Sequence, residues 1–92
     1  MYYILTYITS EDYVERRTPF RSEHLSLAQE FHDKGYLLLG GALTAPADKA
    51  IIIFTCDDEK VVEDFIHKDP YVQNGLITSW EIREWTVVVG KV

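Results

Sequence analysis

Residues Ala50-Ile51-Ile52-Ile53-Phe54 are apolar without a break. A run this short, β-branched and aromatic, reads as a strand. Because it is apolar on both parities, it must be covered on both of its faces. Tyr2-Tyr3-Ile4-Leu5 repeats the demand. The chain must therefore layer helices on one side of a sheet and find a second cover for the other side. In 92 residues there is material for one small domain, residues 1–92, and its helices are enough for one face only. The second cover is expected to be another copy of the chain, in a homodimer packed sheet face to sheet face.

The remaining elements follow in order. Residues 2–8 form the first expected strand. Ser10, followed by Glu11 and Asp12, has the look of a helix N-cap with acids in the first turn. Pro19 breaks that helical pattern near Thr18, and a new helix should start from Pro19 with Thr18 as its cap. It should stop at Gly35, after Lys34. Residues 36–43 read as a second strand, with Gly40-Gly41 allowing a bulge or a close backbone approach. After a turn over residues 44–49 comes the strand at residues 50–54. Asp57 can cap a second helix over residues 58–68, whose stripe is Val61, Val62, Phe65 and Ile66. His67 lies off that stripe and should be solvated. Residues 76–89 read as a long last strand. Trp80 and Ile82 share one parity, and Trp85, Val87 and Val89 the other, so a bulge or a change of the covered side is expected around Arg83-Glu84. The order β-α-β-β-α-β is that of an α+β, ferredoxin-like antiparallel sheet with both helices on one face.

The helix over residues 20–31 carries an oddity. At about 100° per residue, Phe20, Leu27, Ala28 and Phe31 fall on one stripe, and His24 falls inside it. A titratable group aimed at the sheet is either a satisfied core residue or the working part of a pocket. Asp69 is its candidate partner. Pro70 holds Asp69 out of helical geometry, and the loop carrying it lies on the same layer as His24. Asp69 could equally cap a short turn begun by Pro70. Paired, the two would fix the imidazole tautomer and leave one ring nitrogen for a substrate proton.

Other constellations are thinner. Fifteen acidic against nine basic residues give a net charge of −6, and the one adjacent basic pair, Arg16-Arg17, follows Glu15. Neither nucleic acid nor an anionic membrane is an expected partner. His24, His32 and His67 lack ligand spacing, so no metal is expected; Gly40-Gly41 lacks the phosphate-loop patterns, and no cofactor is expected. The single cysteine, Cys56, ends an apolar run and reads as a buried, inert thiol. No apolar run reaches the roughly 20 residues of a membrane span, and the first residues lack the features of a signal peptide; a cytoplasmic protein is the default expectation. Arg21 lies outside the stripe and is a surface ion-pair residue or a ligand for a substrate carboxylate. Tyr7, Tyr71 and Trp80 are core or interface aromatics unless a ligand reaches them.

Three motifs in order, Arg21-Ser22-Glu23-His24-Leu25, then Gly35 with Leu38-Leu39-Gly40-Gly41-Ala42-Leu43, then Asp69-Pro70-Tyr71-Val72 with Gly75-Leu76, resemble those of the YCII-related (YciI-like) family. The likeness extends to the closing Trp80-Glu81-Ile82-Arg83; Glu84-Trp85 departs from the Pro-Phe or Pro-Trp common in relatives. The resemblance implies a dimeric α/β-barrel of ferredoxin-like subunits, similar to muconolactone isomerases. It also implies an active-site His and Asp at His24 and Asp69, and a link to dehydrochlorination of chlorinated aromatic intermediates. The expectation is a cofactor-independent isomerase or lyase acting on a cyclic or aromatic small molecule, with His24 as base or acid, Asp69 orienting it, and Arg21 and Tyr71 as substrate contacts. The alternative is a non-catalytic ligand-binding or dimeric interaction module.

Overall fold

The computed structural model describes residues 1–90. β1 (Tyr2–Thr9) is followed by a one-turn helix α1 (Tyr13–Arg16), a 3₁₀ turn (Thr18–Phe20) and the main helix α2 (Arg21–Asp33). Then come β2 (Leu37–Ala42), β3 (Lys49–Thr55), α3 (Lys60–Lys68), a second one-turn helix α4 (Pro70–Gln73) and β4 (Ile77–Trp85). The four strands form one antiparallel sheet in the order β2-β3-β1-β4. This is the ferredoxin-like arrangement. Among the described residues, no helix is long and apolar enough to cross a membrane.

The two-residue period of the strands sorts the core. Tyr3, Leu5 and Tyr7 on β1 stand opposite Phe54, Ile52 and Ala50 on β3, and all six are buried. Helix α3 lays Val62, Phe65 and Ile66 against this layer, and α2 adds Phe31. Phe65 takes Phe31 and Phe54 edge-on at 5.3 and 5.5 Å between ring centres, a geometry that aromatic quadrupoles favour. The opposite parity, Ile4 and Thr6 on β1 with Ile51 and Ile53 on β3, makes the other face, which carries no helix. Leu39 of β2 and Trp85 of β4 lie on that face too and are about half exposed.

Several expected boundaries move. β4 stops at Trp85, and Val88 and Val89 are almost fully exposed. The reason is the neighbour: Trp85 pairs with Tyr2, the first residue of β1, so residues beyond it have no ladder to join. The irregularity in this pair lies between Ile8 and Thr9, opposite Ser79 and Ile77, rather than at Arg83-Glu84. In β2 the register shifts between Leu37 and Leu39. Gly40 supplies the close approach instead, since a Cβ there would stand 3.2 Å from the Ile52 side chain.

The caps shift as well. Ser10 is still spent on the sheet end, its N–H donating to the Leu76 carbonyl, and Asp12 precedes α1. Thr18 belongs to the 3₁₀ turn, so Phe20 precedes α2 and no side chain caps it. Asp58, not Asp57, receives the first N–H of α3, from Lys60 at 2.9 Å. The stop at Gly35 is as expected. Gly35 has φ of +86°, and Gly35 N–H and Tyr36 N–H donate to the carbonyls of His32 and Phe31, closing the helix by a glycine in left-handed geometry.

Candidate active site

Asp69 leaves α3 with φ −73° and ψ 117°, the extended backbone that a following proline imposes. That bend turns its side chain inward, where it is completely buried. Its Oδ1 accepts the Tyr71 N–H at 3.0 Å, which makes it the N-cap of α4. The same oxygen accepts His24 Nδ1–H at 2.8 Å, and Oδ2 accepts the Tyr7 hydroxyl at 2.8 Å. The capping role and the pairing role, alternatives in sequence, are held by one carboxylate at once. A buried carboxylate is costly unless its oxygens are bonded; this one has three donors, from β1, α2 and its own turn.

His24 is fixed on more than its bonded edge. Tyr71 stacks on the imidazole with ring centres 3.9 Å apart and planes 7° from parallel, and Phe65 meets it edge-on at 6.4 Å. Donation from Nδ1 to the carboxylate selects the tautomer and leaves Nε2 as the free acceptor. The imidazole side chain is 15% exposed, and the exposure is into a cleft of about 210 Å³ between α2 and the β2–β3 edge. His24, Arg17, Arg21 and Tyr71 line it with Ala28, Leu37, Ile52, Phe65 and the backbone of Gly40. A cavity of about 150 Å³ holds a benzene molecule, so this cleft has room for one substituted six-membered ring.

The phenols around the knot stay protonated. Burial pushes Tyr7 far up, and the Asp69 charge and the hydrogen bond to it push the same way; Tyr7 is a fixed donor and no base. Burial also raises Tyr71, against the opposing pull of Arg21 and Arg17. Burial raises the Cys56 thiol as well, and it lies in the core cluster away from the cleft.

Of the residues singled out in sequence, His24, Asp69, Arg21 and Tyr71 meet at this one place, with Asp69 sealed behind His24 and the other three on the cleft. His67 is exposed, and Trp80 stands on β4 beyond the cover of the helices. Among the described residues, no group of three His, Cys, Asp or Glu side chains could hold a metal ion. Tyr7, read as a core or interface aromatic, is buried, but its bond to Asp69 was missed, and so was the place of Arg17 on the cleft. Tyr7 shares parity with Tyr3 and Leu5 on a strand read as buried, and a buried phenol needs an acceptor; that was the available signal. Arg17 had none, because the 3₁₀ turn between it and Arg21 breaks the helical phase that relates them.

The chain belongs to the YCII-related family, whose domain matches residues 1–86. A search of curated proteins finds no match. Among solved structures, the chain is similar to 5-chloro-2-hydroxyhydroquinone dehydrochlorinase (TftG) from Burkholderia phenoliruptrix AC1100, in complex with 2,5-dihydroxybenzoquinone. The two are 18% identical and superpose with a TM-score of 0.77 over 94% of each chain, a likeness that extends to the fold.

Proposed function

We propose that this protein is a small-molecule enzyme that moves a proton on a cyclic, unsaturated substrate, with His24 as the acid–base group and Asp69 as its orienting partner. The observation that carries this reading is the His24–Asp69 bond of 2.8 Å, made by a stacked imidazole that lines a ring-sized cleft. Nε2 takes a C–H or O–H proton next to a carbonyl, and the electron pair enters the conjugated system. If that pair recaptures the proton at another carbon, the result is isomerisation. If it expels chloride, the proton held on His24 and the departing chloride together make HCl. Neither route changes the oxidation level of the protein. Asp69 offsets the charge on the imidazolium, and proton transfer of this kind contributes about 10²–10⁴-fold. The rest falls to positioning in the cleft and to charge stabilisation around it.

The family membership and the similarity to a dehydrochlorinase favour elimination as the first reaction to assay. The test is chloride release from 5-chloro-2-hydroxyhydroquinone, and isomerisation of lactone acids, by wild type, His24→Ala and Asp69→Asn. Loss of turnover in His24→Ala with retained ligand binding is expected. Full turnover by His24→Ala would overturn the reading, and saturable binding without turnover by the wild type would favour a ligand-binding module.

The proposal includes a homodimer through the open sheet face. Ile53 is only 8% exposed there even in a single chain, and beside it Ile51, Leu39 and Trp85 present apolar surface to solvent. Residues of this kind in one contiguous patch mark an interaction surface. Light scattering at micromolar concentration should give twice the chain mass, and Ile51→Lys should lower it to one.

A further inference from the structure

The cleft has two cations at its mouth and no anion. Arg17 and Arg21 both line it, and among the described residues neither guanidinium is within 4 Å of a carboxylate. Arg16, by contrast, is tied down: it lies 3.5 Å from Asp12 and donates to the Asn74 carbonyl at 3.1 Å. No Asp or Glu is among the residues that line the cleft. Asp69, the carboxylate bonded to His24, is completely buried with its oxygens already bonded. In a chain with fifteen acidic residues and a net charge of −6, a cleft with free guanidinium groups and no acid is a local reversal of the overall field.

The two arginines are also placed with respect to His24. Arg17 is half-buried, with its guanidinium 5.2 Å from the centre of the Tyr13 ring. Tyr13 meets Tyr71 edge-on at 5.7 Å, and Tyr71 is the ring stacked on His24. Arg17, Tyr13, Tyr71 and His24 thus form one continuous run of contacts from guanidinium to imidazole. Arg21 is one turn before His24 on α2. Guanidinium groups present several N–H donors in a plane and suit oxyanions.

We propose that the ligand of this cleft is a planar ring anion, a single six-membered ring whose phenolate, enolate or carboxylate oxygen is received by Arg17 and Arg21 while the ring faces His24. The proposal rests on the reading of the cleft as the active site, and adds the charge of the substrate and a binding role for Arg17. The arginines bind the anion in the ground state, and they also hold the oxygen on which negative charge grows when His24 removes a proton. The volume of about 210 Å³ suits one ring, and Gly40, where a Cβ would stand 3.2 Å from the Ile52 side chain, lines the sheet side.

The test is a binding titration followed by protein NMR, using benzoate, its near-isosteric neutral counterpart benzamide, and 4-nitrophenol, whose absorbance reports its ionisation. Wild type should bind benzoate or 4-nitrophenolate at least about tenfold more tightly than benzamide. Arg17→Gln and Arg21→Gln should each weaken the anion by about tenfold, as loss of a charge-assisted hydrogen bond does, and leave benzamide unchanged. Arg17→Lys should recover part of the loss, and a native-like NMR spectrum of each variant excludes misfolding as the cause. Which anion binds more tightly tells a carboxylate site from a phenolate or enolate site. Equal binding of benzoate and benzamide, anion binding unchanged in the double Arg→Gln variant, or no binding of any probe would overturn the proposal. These outcomes are separate from turnover by His24→Ala, so the charge of the ligand and the identity of the base fail independently.

Discussion

Helix α2 carries two histidines, both bonded through Nδ1, and their partners set them apart. His24 donates to the buried Asp69 carboxylate at 2.8 Å, and His32 meets the Leu37 backbone carbonyl at 2.7 Å. A carbonyl oxygen ties the end of α2 to the start of β2 and does nothing more. A carboxylate can also answer a positive charge on the ring, so His24 is equipped to accept a proton and give it up. The second difference is what surrounds the ring. His24 lines a walled cleft with two arginines, whereas His32 is exposed on the surface. Both are histidines of one helix, His24 in its first turn and His32 in its last; a buried acid and an enclosed space make the difference.

Five substitutions probe this contrast, taken from the largest effect to the smallest. His24→Gln should lower turnover by about 10²–10⁴-fold, measured on the substrate found by the assays above, with little change in ligand affinity. Asp69→Ala strips three donors of their acceptor and should destabilise the fold by about 3–5 kcal/mol, read as a fall in the urea midpoint. Asp69→Asn, which keeps an oxygen acceptor, should be closer to wild type in stability than in activity.

Tyr7→Phe should cost about 1–3 kcal/mol by leaving Asp69 Oδ2 without its donor. It should also change the alkaline behaviour. The Tyr7 phenol is held above its ordinary value of 10.0, so below pH 10 folded and unfolded chains both keep its proton. Above pH 10 the unfolded chain releases that proton and the folded chain retains it, and stability falls by about 1.4 kcal/mol per pH unit. Tyr7→Phe should remove this component from urea midpoints measured between pH 9 and 11, while Tyr71, raised in the same sense, keeps part of the decline. His32→Gln is the control: a loss of about 1 kcal/mol or less by thermal melt, with ligand binding and turnover unchanged. A turnover defect in His32→Gln as large as that in His24→Gln would erase the contrast between the two.

Much of this was legible before the structure. The unbroken apolar run at residues 50–54 asked for cover on both faces, and β3 is the strand between β1 and β2, with Ile52 and Phe54 under the helices and Ile51 and Ile53 on the open side. Helical phase turned His24 inward, and Pro70 turned Asp69 out of its helix; both are local effects that adjacent residues decide. Strand ends and caps were less legible because they depend on a neighbour. Residues 86–89 are as apolar as many strands, yet β1, the strand beside β4, begins only at Tyr2, opposite Trp85, and offers them no partner. Ser10 has the right side chain for a cap, but its backbone is still held by Leu76.

Local chemistry therefore determined the elements, their order and the inward aim of His24, since periodicity and proline geometry act within a few residues. Tertiary structure alone decided that Asp69 takes Tyr7, His24 and Tyr71 together, a convergence of residues up to 62 positions apart. It also decided that Arg17 stands with Arg21 at the cleft. Those outcomes turn on strand register and on a 3₁₀ turn that resets helical phase. Register and turn are settled by the packing of the whole sheet and its helices, which no short stretch of sequence contains.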